Sequence, residues 1–225
     1  QHERLPARVP AASRAASAKG PISGLEGLRR QAGAGVRVTG DDLKKGIYMN
    51  MEADVVQPGS AVLMTAKLFS EMMRLLPDGI VTVEVGDDSR ATVKCGQSEY
   101  SFMALPASDY PELPDVDVSE AIAIPQKTLR SMIDESIFAV STNESRPVYM
   151  GSLFELEGGR LTMVSVDGYR MAIRREDVKG GTDGMRFIIP GSALLDVERL
   201  CGDTDEEVLL NVGTKHSSFT IGGTV

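Results

Sequence analysis

The 225-residue chain is 42% hydrophobic, enough to fill the core of one large domain or of two of about 110 residues each. Its 24 Lys and Arg against 32 Asp and Glu give a net charge of −8, which argues against a wholly basic nucleic-acid surface but leaves room for a local one. No apolar run is long enough to cross a bilayer, the N-terminus lacks the apolar centre of a secretory signal, and Cys95 and Cys201 make no disulfide framework. A reduced, cytoplasmic protein is the default reading.

Arg4, Arg8 and Arg14 in an Ala-rich run suggest a helix, but Pro10 falls inside it and would break it; Gly24, Arg29 and Arg30 interrupt what could be a strand. From Val36 the alternation predicts two strands about a turn at Gly40-Asp41-Asp42, then a second turn at residues 57–60. Leu68, Phe69, Met72, Met73 and Leu76 share one face of a helix over residues 66–76, which Pro77-Asp78-Gly79 ends. Strands at Ile80–Val85 and Arg90–Cys95 form a hairpin, and Glu99–Leu105 adds another strand.

Residues 106–120 carry three prolines and many acids and read as a linker. Ile124-Pro125 then opens a helix with a buried stripe of Leu129, Met132, Ile133, Ile137 and Val140. From Val148 to Ile173 period-two patterning, a Glu157-Gly158-Gly159 reversal and a tight Asp167-Gly168 turn predict a three-stranded antiparallel meander. A Gly-rich loop, a strand at Phe187–Ile189, a helix near Ser192–Cys201 and a hairpin over Val208–Ile221 follow.

The two halves repeat. Leu63–Phe69 and Ile189–Leu195 each enter a helix at an offset of 126, Asp41 and Asp167 share that offset, and Val85-Gly86 and Val212-Gly213 stand 127 apart. Three landmarks at nearly one spacing imply a single unit written twice. The second copy stops at Val225, where the counterpart of Glu99–Leu105 is due, so the sequence reads as a fragment whose last sheet has an unpaired edge.

Enzymatic readings find little support. Gly33–Gly40 lacks the spacing of a dinucleotide-binding loop, and His2 and His216 have no neighbours at metal-ligand spacing. Ser141, Ser145 and Ser165 have no base nearby in sequence, and Asp41-Asp42 is better explained by turn chemistry. An uncharacterised hydrolase is therefore a distant alternative, and neither a cofactor nor a metal is expected.

The repeat, the stretch Phe138–Ile173 with its VDGYR turn, and Leu105–Leu113 before the linker closely resemble the bacterial DNA sliding clamp family, the β subunit of DNA polymerase III. The resemblance runs from about Val36 to Val225. It implies an α+β fold of tandem clamp domains, each with two helices packed on antiparallel sheets. Three such domains make a chain, and two chains close head to tail around duplex DNA. In this sequence residues 1–35 match domain one poorly, 36–107 form its remainder, 108–120 the acidic linker and 121–225 most of domain two, the third domain being absent.

Function carried over from the resemblance is non-catalytic. A clamp tethers the replicative polymerase to DNA and receives DNA polymerase III subunits, the clamp loader and other proteins bearing a clamp-binding motif in one hydrophobic cleft. The domain-two half of that cleft falls on Tyr149, Val166, Gly168, Tyr169, Arg170 and Met171. DNA-touching positions fall on Lys19, Arg74, Asn143, Pro147 and Val148, with Arg146 adjacent, and the dimer edge of domain one on Tyr100 and Phe102. Full-length members are homodimers; this fragment is not expected to be one. Taken without the family, Tyr169-Arg170-Met171 would read as strand residues packing a turn, and Lys67, Arg74, Lys127, Arg130 and Arg199 as ordinary solvated helix faces. The alternative from another class is a monomeric peptide-binding adaptor that uses Tyr149 and Tyr169–Met171 without encircling DNA.

Overall fold

In a computed structural model, residues 12–16, 27–33, 35–114, 116 and 120–225 are described. The chain divides into two units, residues 1–113 with Thr224 and residues 114–223 with Val225. The helix suggested by the Ala-rich N-terminal run and Lys19 lie outside the described residues, apart from one turn at 12–16 where the Ala15 N–H bonds the Ala12 carbonyl at 3.2 Å.

The first unit is built on seven antiparallel strands: β1 (Leu28–Ala32), β2 (Val36–Asp41), β3 (Gly46–Met51), β4 (Gly59–Met64), β5 (Val81–Val85), β6 (Arg90–Cys95) and β7 (Ser98–Pro106). They lie in the order β3-β2-β1-β4-β7-β6-β5. Helix α1 (Ala66–Leu75) leaves β4 and buries Phe69, Met72 and Met73, with Phe69 meeting Phe102 of β7 edge-to-face at 5.4 Å. Leu68 stands 57% exposed instead of joining that face, because a helix only ten residues long offers one narrow stripe and Leu68 flanks it.

Two expectations are corrected in this unit. Arg29 and Arg30 do not break a strand; they lie within β1, where Arg29 reaches Glu112 at 3.5 Å and burial lowers the pKa of Arg30. Long basic side chains can bury their stems along a sheet while the charged heads find partners or water. The turn after β2 is displaced towards the C-terminus: Gly40 and Asp41 still pair with Ile47 and Gly46, and the reversal falls on residues 42–45. There Asp41 Oδ1 accepts the Leu43 N–H at 2.8 Å, and Asp42 Oδ1 accepts those of Lys44 and Lys45. Gly40 is needed for close approach, since a Cβ there would overlap the Ala12 carbonyl oxygen. The ring of Phe102 is buried in the core of this unit.

The second unit repeats the plan. It opens with β8 (Ile122–Pro125), a strand that precedes α2 (Gln126–Asp134) where a helix start was expected at Ile124. Helix α2 stops at Asp134, so Ile137 sits on a separate 3-10 turn (Ile137–Ala139) and Val140 follows it. The meander is β9 (Gly151–Glu157), β10 (Arg160–Val166) and β11 (Met171–Asp177), preceded by a 3-10 turn, Pro147–Met150, that holds Val148 out of the strand. Then come β12 (Lys179–Gly180), β13 (Arg186–Pro190), α3 (Gly191–Leu200), β14 (Glu207–Val212) and β15 (Ser217–Ile221). Two sheets result, β11-β10-β9-β13 and β12-β8-β14-β15. Leu129, Met132 and Ile133 of α2 and Leu194 and Val197 of α3 pack in one core with Phe154, Leu161 and Met163 of the meander and Val208 and Leu210 of β14.

Candidate functional site

Around the β10–β11 turn the second unit gathers most of the residues singled out in its sequence. Val166 and Met171 are the last register pair of the hairpin, so residues 167–170 form the reversal. Asp167 organises it. Its Oδ1 accepts the N–H of Tyr169 at 2.9 Å and that of Arg170 at 3.1 Å, and its Oδ2 accepts the Arg170 Nε–H at 2.9 Å. These bonds, led by the one from Tyr169, hold the Asp167 carboxyl below its ordinary pKa, so it is an ionised anchor at neutral pH. Gly168 has φ +94°, a left-handed conformation that a side chain would strain.

The outcome of this geometry is display. Tyr169 is 99% exposed and Met171 60% exposed, although both are side chains that gain from leaving water. Tyr149 approaches from the Pro147–Met150 turn, half-buried and tied by its backbone N–H to the Arg146 carbonyl at 3.0 Å. The Arg146 guanidinium stands 6.0 Å from the Tyr149 ring centroid, and its Nη1 would be 3.9 Å from a Cβ at Gly168. Arg146 therefore borders the turn as well as the loop to which the sequence assigned it. Phe138, which the sequence did not single out, joins from the Ile137–Ala139 turn, with Arg170 Cζ 5.5 Å from its ring centroid. The signal was available: an aromatic residue beside Ile137 but off the apolar stripe of the helix before it.

Asn143, Arg146, Pro147 and Val148 lie in one exposed segment, Val148 at 65%. Asn143 shapes it, its Oδ1 accepting the Ser145 N–H at 3.0 Å and hydroxyl at 2.6 Å. Arg74 is in the first unit, exposed on the last turn of α1 and without an acidic partner among the described residues. The other helix cations are matched by acids: Lys67 with Glu71 at 4.0 Å, Lys127 with Asp205 at 2.7 Å, Arg130 with Glu198 at 3.8 Å and Arg199 with Asp196 at 3.6 Å.

Tyr100 and Phe102 lie on the part of β7 that pairs with β6 alone, because β4 meets β7 only from Met103 to Pro106. Tyr100 is 41% exposed there, and any edge at Phe102 is offered by backbone, not by its buried ring. Nucleophile chemistry finds no place at the cysteines. Burial pushes the Cys201 thiol up to about 11, and the buried Cys95 thiol bonds the Pro77 carbonyl at 3.4 Å. Among the described residues no group of three His, Cys, Asp or Glu side chains is placed to hold a metal ion, and no helix is long and apolar enough to cross a membrane.

Comparison with known proteins agrees in both units. Residues 1–114 match the family described as DNA polymerase III beta subunit, N-terminal domain, and residues 123–225 match its central domain. The beta sliding clamp of Halalkalibacterium halodurans is 34% identical over 221 residues, covering 92% of this chain and 57% of that protein. The beta sliding clamp of Bacillus subtilis is 32% identical over 218 residues with the same coverage. A crystal structure of the DNA polymerase sliding clamp from Bacillus subtilis superposes with a TM-score of 0.92 at 30% identity, covering 100% of this chain and 61% of that one. The chain thus spans little more than half the length of these relatives.

Proposed function

Because the chain belongs to the DNA polymerase III beta-subunit family, we propose that it serves as a DNA polymerase processivity factor, a sliding clamp that holds the replicative polymerase and other partners on duplex DNA. The observation that carries this reading is the Asp167 turn, which fixes Tyr169, Arg170 and Met171 in water beside Tyr149 and Val166. A rigid turn presenting apolar side chains and one arginine is suited to a short hydrophobic peptide: Met171 and Tyr149 supply adaptable apolar area, and Arg170 bonds a carbonyl or carboxylate. Partners of this chemistry are DNA polymerase III subunits, the clamp loader and other proteins with such a peptide.

The mechanism is mechanical and involves no covalent step. Exposed Arg74, Asn143, Arg146, Pro147 and Val148 face the DNA, and Lys19 belongs to the same set by family resemblance. Most helix cations are already matched by acids, so attraction to phosphate is weak and falls with salt. Encirclement by a ring of two full-length chains, closed through the β7 edge at Tyr100 and Phe102, does not require more. Such a protein works in the cytoplasm, without a cofactor.

The test is the paired substitution of Arg170→Ala and Met171→Ala, with titration of a hydrophobic peptide from a replicative polymerase. Affinity should fall while the far-ultraviolet circular dichroism spectrum stays that of the parent. A collapsed spectrum would mean that these residues pack the turn instead of receiving a partner.

A further inference from the structure

Phe138 is an aromatic residue whose position core formation does not explain. It occupies the middle of the Ile137–Ala139 turn, where Ala139 is fully buried and Ile137 packs against the core, yet Phe138 itself is 54% exposed. The phenylalanines of the meander sheet, Phe154 and Phe187, by contrast stack on each other at 5.4 Å. Over the Phe138 ring lies a cation, the Arg170 guanidinium, at 5.5 Å. The same arginine gives its Nε–H to Asp167 at 2.9 Å.

Those two contacts restrain the guanidinium in different ways. A single bond at Nε leaves the group free to rock about that bond. The negative face of an aromatic ring attracts the cation and limits the rocking. An arginine held at both points has already given up much of its rotamer freedom, so little more is lost when it bonds a ligand. Among the described residues its Nη groups make no hydrogen bond, so these donors remain unspent.

We propose that Phe138 is a positioning residue of the partner-peptide socket, holding the Arg170 guanidinium so that its Nη hydrogens meet a carboxylate or carbonyl oxygen of the bound peptide. This rests on the reading of the Asp167 turn as a peptide-binding surface. The ring acts through Arg170 and not through contact with the peptide. An aliphatic side chain in its place would cover the arginine stem without orienting the charged head. A tyrosine would do both.

Two measurements on the 225-residue chain test this. In the free protein, the Arg170 Nε–H resonance, assigned by its loss in Arg170→Lys, should be shifted by the ring and slow to exchange. Phe138→Tyr should keep both properties and Phe138→Leu should abolish them. In the second measurement the probe is a fluorescein-labelled hexapeptide of aliphatic and aromatic residues with a free C-terminal carboxylate. Phe138→Leu should weaken its binding about two- to five-fold, the size of an exposed cation–π contact, and Phe138→Tyr should not. In an Arg170→Ala background Phe138→Leu should cost nothing further. An additive loss in the double variant, or an Nε–H signal unmoved by Phe138→Leu, overturns the proposal. If the parent chain takes up no peptide, this half of the cleft does not suffice by itself, and the Nε–H signal then decides whether Phe138 positions Arg170: a signal unmoved by Phe138→Leu overturns the proposal.

Discussion

Asp41 and Asp167 each end a strand by accepting the N–H of the residue two further on, at 2.8 Å from Leu43 and 2.9 Å from Tyr169. They stand 126 residues apart, but Asp41 belongs to the last register pair of its hairpin whereas Asp167 opens the reversal, the place that Asp42 holds in the first copy, and their surroundings have opposite effects. Asp41 is 5% exposed, close enough to buried Tyr110 to raise the pKa of that phenol, and has Asp42 as its charged neighbour. Burial raises the pKa of Asp41, and Asp42 adds to the effect. Asp167 is bonded by two backbone N–H groups and by Arg170, and its pKa is lowered. The acid that accepts the first N–H of the turn is thus tucked into its own unit in the first copy and is an ionised anchor under exposed side chains in the second. The residue after the turn's first bond follows suit: Leu43 is half exposed and Tyr169 fully exposed.

The harshest way to break this comparison is to remove what supports the second turn. Phe154 is fully buried in the meander and stacks on Phe187. Phe154→Ala should cost about 3–5 kcal/mol in urea unfolding, the cost of deleting a buried aromatic ring. A loss under about 1 kcal/mol would mean that the core of the second unit lies elsewhere. Glycine substitutions are the next largest. In Gly40→Ala the new methyl meets the Ala12 carbonyl oxygen, so backbone must shift, and the cost should be about 1–3 kcal/mol. In Gly168→Ala the new methyl makes only an ordinary contact, 3.9 Å from Arg146 Nη1, so the cost is that of its left-handed backbone, about 1–2 kcal/mol. The sharper difference is functional: Gly168→Ala should reduce peptide binding and Gly40→Ala should not, read by the same titration.

Much of this was legible in the sequence, for physical reasons. Alternating apolar residues between turn formers fixed the meander, and two glycines after Glu157 left little doubt about its first reversal. The offset of 126 pointed to both turns, since each uses a short acid to accept turn N–H groups, but the strand register sets the spacing at 125 and pairs Asp167 with Asp42. The turn at Gly40 was misplaced because a glycine ahead of two aspartates resembles a reversal; only the Ala12 backbone lying across it reveals close packing. Arg29 and Arg30 hid β1 because partial burial of two arginines in a strand is unexpected, and the acidic partner of Arg29, Glu112, is 83 residues away in sequence. Phe138 was missed for a related reason. Its role depends on Arg170, which only the folded meander brings to it.

The aspartates themselves supply the subtlest test. At both sites Asn keeps an oxygen to accept the backbone N–H; at Asp41 the substitution removes mainly charge, and at Asp167 it also replaces the oxygen that accepts the Arg170 Nε–H. Asp167 has a folded pKa below the ordinary value of 3.8. Its ionised form therefore stabilises the native unit above that ordinary value, and the contribution is lost as pH falls through the folded pKa. Asp167→Asn should lower stability at pH 7, with the difference from the parent shrinking as the solution is acidified below the ordinary value. Asp41 has a folded pKa above 3.8, so its charge opposes folding at neutral pH and the penalty is relieved as pH falls from the folded pKa towards that value. Asp41→Asn should raise stability at pH 7 and converge with the parent in acid. Urea midpoints measured from pH 3 to pH 8 should thus move in opposite directions for the two variants. If both moved the same way, the local charge environment would not be what separates the two turns, and the contrast between a tucked acid and an exposed anchor would have to come from backbone packing alone.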